Sequence, residues 1–418
     1  MRLEEYSQLL KSDSPTIEFP TKNGKTIMCQ KQVDDMKEQL EQAKDLLQAM
    51  IEAKDVPTIE VIHRLCDLAT MLDDLEFQEE CLVVGDCAIN LARAFGSRAA
   101  EFQKEEALTI LVIAELNVYK SRACPLFIQA ISICDAFVIM DDGSDVAKVT
   151  LLNALDAAGA HDATPPALCA QWLGRAVDLI SELPSSVVPN EYRGSVYIKY
   201  GIALGTLKDD SKALAAEEKA VAIYRSLTAE HSQVMYKDDL ARALCNYGVS
   251  LRRMKCLDDA LSVEQEAVSL YRALAFDGHE ERNKELANAL HGYGMSLHDM
   301  NHLEDALGVK QEAVSIYRAL AIDGHEERNK ELANALHSYG MTLHDMDHLE
   351  GALGVKQEAV SLYSALGADG HEGDKKALAN ALHSYGITLH DMDHLEDAHS
   401  VRQEAASLYC ALAVDVHE

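Results

Sequence analysis

Aromatic side chains and prolines are scarce in this chain. Phe, Trp and Tyr make up 6% of its 418 residues, and there are 8 prolines, against a hydrophobic content of 48%. An apolar fraction carried by Ala and Leu suits packed helices. Basic residues are also few: 38 Lys and Arg stand against 69 Asp and Glu, a net charge of −31. Nucleic acids and anionic membranes need a basic face, so neither is expected as a partner. Paired cysteines are missing. Cys29, Cys66, Cys81, Cys87, Cys124, Cys134, Cys169, Cys245, Cys256 and Cys410 include no C-x-x-C pair, which argues against zinc or disulfide frameworks and for a reducing cytoplasm. The N-terminal stretch MRLEEYSQLLKSDS has no apolar signal core. The most apolar run, Ile131–Met140, is short and holds Asp135, so no membrane span is expected. Catalytic signatures are absent too: no nucleophile stands at a family spacing from a base, and there is no phosphate loop and no H-E-x-x-H. Neither an enzyme activity nor a cofactor is expected.

What the chain does have is repetition. The stretch Leu286–Glu331 recurs at Leu332–Ala377 with 34 of 46 positions identical. A further copy starts at Leu378, and a diverged one at Leu240. A fixed period of this kind signals a repeat architecture. Each copy carries two apolar stripes at helical spacing. Leu286, Ala289, Leu290, Tyr293, Gly294, Leu297 and Met300 form the first; Leu303, Ala306, Leu307, Ala313, Val314, Tyr317 and Leu320 form the second. Asn301-His302 joins the two, and Gly324 in the following Asp-Gly-His-Glu is placed to end the second helix in a left-handed turn. Each repeat is therefore a helix–turn–helix hairpin that cannot bury its apolar faces alone.

These residues resemble the tetratricopeptide repeat (TPR). Leu290, Tyr293, Gly294 and Leu297 match its first helix, while Ala306 and Ala313 match the small positions of its second. Gly294, Ala306 and Ala313 stand where the two helices of a hairpin must cross closely. Two departures are visible: Lys310 fills the position usually aromatic, and the closing Pro is missing. The period also exceeds the usual ~34 residues, as in the long-period repeats of kinesin light chains and related fungal proteins. The resemblance implies an all-α, right-handed α-solenoid.

Along the chain, residues 1–54 read as a weakly structured segment followed by a capping helix. A short helix is expected over Leu3–Leu10, a turn at Thr21–Lys25, and the capping helix over 30–54. Residues 55–184 read as about three degenerate hairpins. Ser181–Ser186 reads as a linker, and residues 190–418 as five regular repeats of 46–47 residues. The last helix is expected to expose Val401, Ala405, Leu408 and Leu412. Either a second copy packs there, giving a homodimer, or the chain belongs to a longer product.

The inner-helix positions that would line the groove repeat in register. They are Asn288, His291, Met295, His298 and Asp299; then Asn334, His337, Met341, His344 and Asp345; then Asn380, His383, Ile387, His390 and Asp391. Spacings of three and four put each set on one helix face. Asn offers a donor and an acceptor to an extended peptide backbone, and Asp at the rim favours a basic peptide. Duplication also copies idle residues, so the rows alone do not establish contact. The cluster His298, Asp299 and His302 is read as solvated, because His302 falls at the joint, and no metal is expected. Arg242, Arg252 and Arg253 form the one basic patch. The resemblance implies a protein-interaction scaffold whose groove holds a peptide; the alternative is the sensing portion of a larger NTPase- or protease-linked signalling protein.

Overall fold

The computed structural model describes residues 16–21, 24–29, 59–74, 78–96, 102–231, 233–276, 282–321, 326–367 and 372–415. The helices expected over Leu3–Leu10 and residues 30–54 lie outside them, as does Gly324. Strands β1 (Thr16–Thr21) and β2 (Gly24–Cys29) pair antiparallel, with Thr21 opposite Gly24. The helical pattern did not foresee this hairpin, although the turn signal lies between its strands. The rest of the described chain is helical. It divides into two compact units, 1–207 and 208–418.

Unit 1 contains α1 (Ile59–Asp74), α2 (Gln78–Gly96), α3 (Gln103–Glu115), α4 (Ala123–Met140), α5 (Asp145–Ala160), α6 (Pro166–Glu182) and α7 (Asn190–Thr206). Consecutive helices pack as hairpins, and α1, α3, α5 and α7 also touch in sequence along one face. One core runs through all of them, built from side chains such as Leu65, Ile110, Phe127, Leu155 and Ile180. Cys66, Cys81 and Cys134 belong to it, their thiols pushed up to about 12 chiefly by burial. Pro166 opens α6, where its missing N–H costs nothing. Helix α4 is long and apolar enough to cross a membrane by composition. Here its inner side, including Leu126, Phe127 and Ala130, is buried in the core, and Asp135 pairs with Arg175 of α6 at 2.5 Å.

The Ser181–Ser186 stretch is not an open linker. Leu183 and Val188 are buried, and the Arg193 guanidinium donates to the carbonyls of Val188, Leu183 and Ile180. The connection is thus packed within the first compact unit, which runs to residue 207.

Unit 2 contains α8 (Asp210–Glu230), α9 (Val234–Arg253), α10 (Leu257–Phe276), α11 (Asn283–Asp299), α12 (Leu303–Leu320), α13 (Glu326–Asp345), α14 (Leu349–Gly367), α15 (Glu372–Asp391) and α16 (Leu395–Asp415). Helices α9, α11, α13 and α15 are the first helices of four successive hairpins, and they touch one another along one face. The apolar stripes meet as expected, with Leu290, Ala306, Ala313, Leu336 and Ala359 at 0–1% exposure. Of the four α16 residues expected to be exposed, Ala405 is instead buried, and Val401, Leu408 and Leu412 are half-buried, because α15 covers most of that stripe.

Each joint within a hairpin turns on one residue of positive φ: Lys255 (61°), Asn301 (62°), Asp347 (62°) and Asp393 (63°). Around Asn301 the His302 amide donates to the Leu297 carbonyl at 2.8 Å, closing the end of α11. Asn and Asp tolerate the left-handed region; a lysine pays about 1 kcal/mol or more for it. Lys255→Gly should therefore stabilise the chain by about 1 kcal/mol. A raised urea midpoint at unchanged slope would show this, and no shift would remove the strain assigned to this joint.

Candidate functional site

The residue that departs from the repeat pattern is the one that organises the site. Lys310, on α12, is 3% exposed. Its stem lies against Gly294 of α11, where a Cβ would sit 2.7 Å from Lys310 Cγ. Its ammonium crosses to the next hairpin and donates to the Thr342 hydroxyl at 2.8 Å and the Ser338 carbonyl at 3.2 Å, both on α13. Lys356 repeats the arrangement beside Gly340, donating to Thr388 at 2.8 Å and Ser384 at 3.3 Å. The preceding repeats bury Glu264 and Glu217 at this position, and the last holds Arg402. The small glycines thus make room for the stem of a long ionisable side chain, a use that the spacing alone did not reveal.

Above Lys310 lies a cavity of about 370 Å³ between α11 and α13. Eight of the sequence-selected residues line it together: Asn288, His291, Met295, His298, Asp299, Asn334, His337 and Met341. Lys310, Tyr317, Glu331 and Ser338 complete the lining and were not selected from sequence. His344, Asp345, Asn380, His383, His390 and Asp391 lie outside it. The signal for Lys310 was present in the sequence, as a charge where an aromatic was expected.

Tertiary contacts alter the chemistry expected of these rows. Each Asn is tied to the tyrosine of its own hairpin. Tyr317 donates to Asn288 Oδ1 at 2.5 Å, Tyr363 to Asn334 Oδ1 at 2.5 Å, and Tyr409 to Asn380 Oδ1 at 2.6 Å. The acceptor is spent internally, which leaves the amide N–H groups as donors toward a ligand. The histidines and aspartates bridge repeats. His298 Nε2 meets Asp345 at 2.8 Å, and His344 Nε2 meets Asp391 at 2.9 Å. His344 and His390 also reach the Asp that follows each, at 3.4 and 3.2 Å. A chain His298–Asp345–His344–Asp391–His390 therefore runs along the face. His302, beside this chain in sequence, is exposed at the joint. The basic patch is compensated as well, Arg242 by Asp239, Arg252 by Glu264 and Arg253 by Asp210.

Burial dominates the electrostatics. It lowers His291 and His337 to about 4, reinforced at His291 by Lys310 and Arg252, and at His337 by Lys356 and Lys310. Both rings are neutral at pH 7. Burial also lowers Lys310 and Lys356 to about 8, against the pull of Asp299 and Asp345 on the first and of Asp345 and Asp391 on the second.

Unit 1 holds a second cavity, about 550 Å³, which the sequence did not indicate. Leu108, Leu111, Val112 and Ala157 give it apolar walls. At its edge Lys199 donates to both oxygens of the nearly buried Asp156, at 2.8 and 2.9 Å, and Tyr192 donates to the same carboxylate at 3.1 Å.

No protein-family profile and no curated protein sequence matches the chain. Solved structures do. The apo quorum sensor NprR of B. thuringiensis is 12% identical over 89% of this chain and 94% of its own, with a TM-score of 0.51. Apo RapI is 10% identical over 85% and 98%, with a TM-score of 0.50. A putative kinesin light chain of Podosopora anserina with nearly identical TPR-like repeats is 14% identical over 53% and 97%, with a TM-score of 0.39. At such identities the likeness to NprR and RapI is one of fold: this chain has the TPR-type helical-repeat fold.

The buried imidazoles make stability depend on acid. Their folded values, about 4, lie below the unfolded value of about 6.5. The folded chain therefore binds fewer protons across that window, and stability falls as pH drops from 6.5 to 4. Glu217, raised by burial to about 7, acts in the opposite sense. Replacing both histidines, His291→Gln with His337→Gln, should flatten the acid loss seen in urea midpoints. An unchanged slope would show that these rings are not held neutral.

Proposed function

We propose that this chain is a non-enzymatic protein-interaction scaffold that holds an extended segment of a partner protein along the face formed by α11, α13 and α15. The observation that carries the reading is the row of asparagines. Asn288, Asn334 and Asn380 each have Oδ1 fixed by a tyrosine of their own hairpin. Three amides thus leave N–H groups for a ligand at one-repeat intervals along a single face. Preorganised donors of this kind bind without an ordering cost. The acidic rim expected to select a basic segment contributes less than its sequence suggests, because Asp345 and Asp391 are occupied by His298 and His344.

The test is capture from lysate of the source cells by the wild-type chain and by a variant carrying Asn288→Ala, Asn334→Ala and Asn380→Ala. At roughly 0.5–1.5 kcal/mol per hydrogen bond, the variant should bind the captured partner between about tenfold and two-thousandfold more weakly, with unchanged circular dichroism. Equal retention by both chains would move the binding surface away from this face.

A further inference from the structure

The cavity between α11 and α13 has an interior that the groove reading does not account for. His291 and His337 each carry an Nδ1 atom that is sealed from solvent and has no hydrogen-bond partner. Both rings line the same space, one from each repeat. A buried polar atom without a partner is costly, and native folds rarely keep two side by side. Beneath them the Lys310 ammonium uses two of its three donors on Thr342 and Ser338.

We infer that this cavity binds an anionic oxygen group, a carboxylate or a phosphate, which enters with a proton taken up by His291 or His337 and is held also by Lys310. The inference rests on the proposed groove only for the source of the anion, a group carried by the bound segment.

The charges around the two rings support this, element by element. Helix α9 contributes Arg252, 3.6 Å from Glu264 of α10. Helix α12 contributes Lys310 and α14 contributes Lys356, and these cations with Arg252 are what bear on the rings besides burial. The nearby carboxylates are largely engaged: Glu331 of α13 by Lys284 at 3.0 Å, Asp345 by His298 at 2.8 Å, and Asp391 of α15 by His344 at 2.9 Å. Asp299 of α11 stands exposed at the rim, where water screens it. The amides of Asn288 and Asn334 add donors, their oxygens being held by Tyr317 and Tyr363. Apart from Asp299 at the rim and Glu331, which Lys284 pairs, the ionisable and amide groups lining the cavity are donors, or become donors by taking a proton. A buried neutral imidazole gains from protonation when an anion arrives beside it.

The experiment titrates the full chain with sodium acetate, inorganic phosphate, and the blocked peptides Ac-Gly-Glu-Gly-NH2 and Ac-Gly-Gln-Gly-NH2. It follows the imidazole proton resonances, assigned through His291→Gln and His337→Gln. The anionic probes should shift the His291 and His337 signals, and the Gln peptide should not. Affinity should rise about tenfold from pH 7 to pH 6 for one proton taken up, and the heat of binding should vary with the ionisation heat of the buffer. Lys310→Met, which keeps the stem under Gly294, should weaken binding at least fivefold. A stronger response to acetate and the Glu peptide assigns a carboxylate source, and a stronger response to phosphate a phosphorylated one. Equal shifts with the Glu and Gln peptides, or an affinity flat across pH, would overturn the inference, and this comparison needs only the wild-type chain. Anion binding that persists when the asparagine variant captures a partner as well as wild type does would uphold this site and sink the groove. Asparagine-dependent capture with no anion response would do the reverse.

Discussion

A lysine ammonium cannot be buried without acceptors, and Lys310 finds both of its acceptors in the neighbouring repeat. That constraint explains much of the regular half. The stem must pass the crossing of α11 and α12, so position 294 must be glycine. The head must meet oxygen on α13, which sets how far one hairpin can rotate on the next. Thr342 and the Ser338 carbonyl meet that need, and one repeat later Thr388 and Ser384 do the same for Lys356. An aromatic at 310 would fill the same space by contact alone. A buried donor adds direction, because a wrong register leaves it unpaired at a cost of about 1–3 kcal/mol or more.

The same register brings the site together. Once α11 and α13 are fixed relative to each other, His298 meets Asp345, and His291 and His337 come to share one cavity. The outer ion pairs contribute less to this alignment. Arg272–Glu312 and Arg318–Glu358 link successive second helices at 2.5 Å, yet they are about half exposed, and exposed pairs are worth roughly 0–1 kcal/mol. The specificity of stacking lies in the buried polar contacts, and the surface pairs follow from it.

The stacking was legible in the sequence because a repeat writes its geometry many times over. The stripes through Leu290 and Ala313, the small residues at 294, 306 and 313, and the joint near Asn301 all fall where helix periodicity puts them. The hinge within that joint was less legible: the left-handed residue is Asn301, Asp347 or Asp393, and Lys255 in the diverged copy, not a glycine. In unit 1 periodicity carried less information, since its hairpins differ from one another. There the Ser-Glu-Leu-Pro-Ser-Ser composition suggested a linker, whereas Arg193, from the following helix, clasps that connection through three carbonyls.

The sequence by itself determined the helices, their pairing into hairpins and the face on which Asn288, His291 and His298 stand. These depend on spacings of three and four along one helix, which any single copy displays. Only the tertiary structure decided what those residues are free to do. Asn288 has given its acceptor to Tyr317, His298 has given a ring nitrogen to Asp345, and His291 keeps one that nothing satisfies. Tyr317 and Asp345 lie 29 and 47 residues away from their partners, on other helices. Whether a polar group is spent or available depends on what packs beside it, and periodicity along one helix carries no record of that.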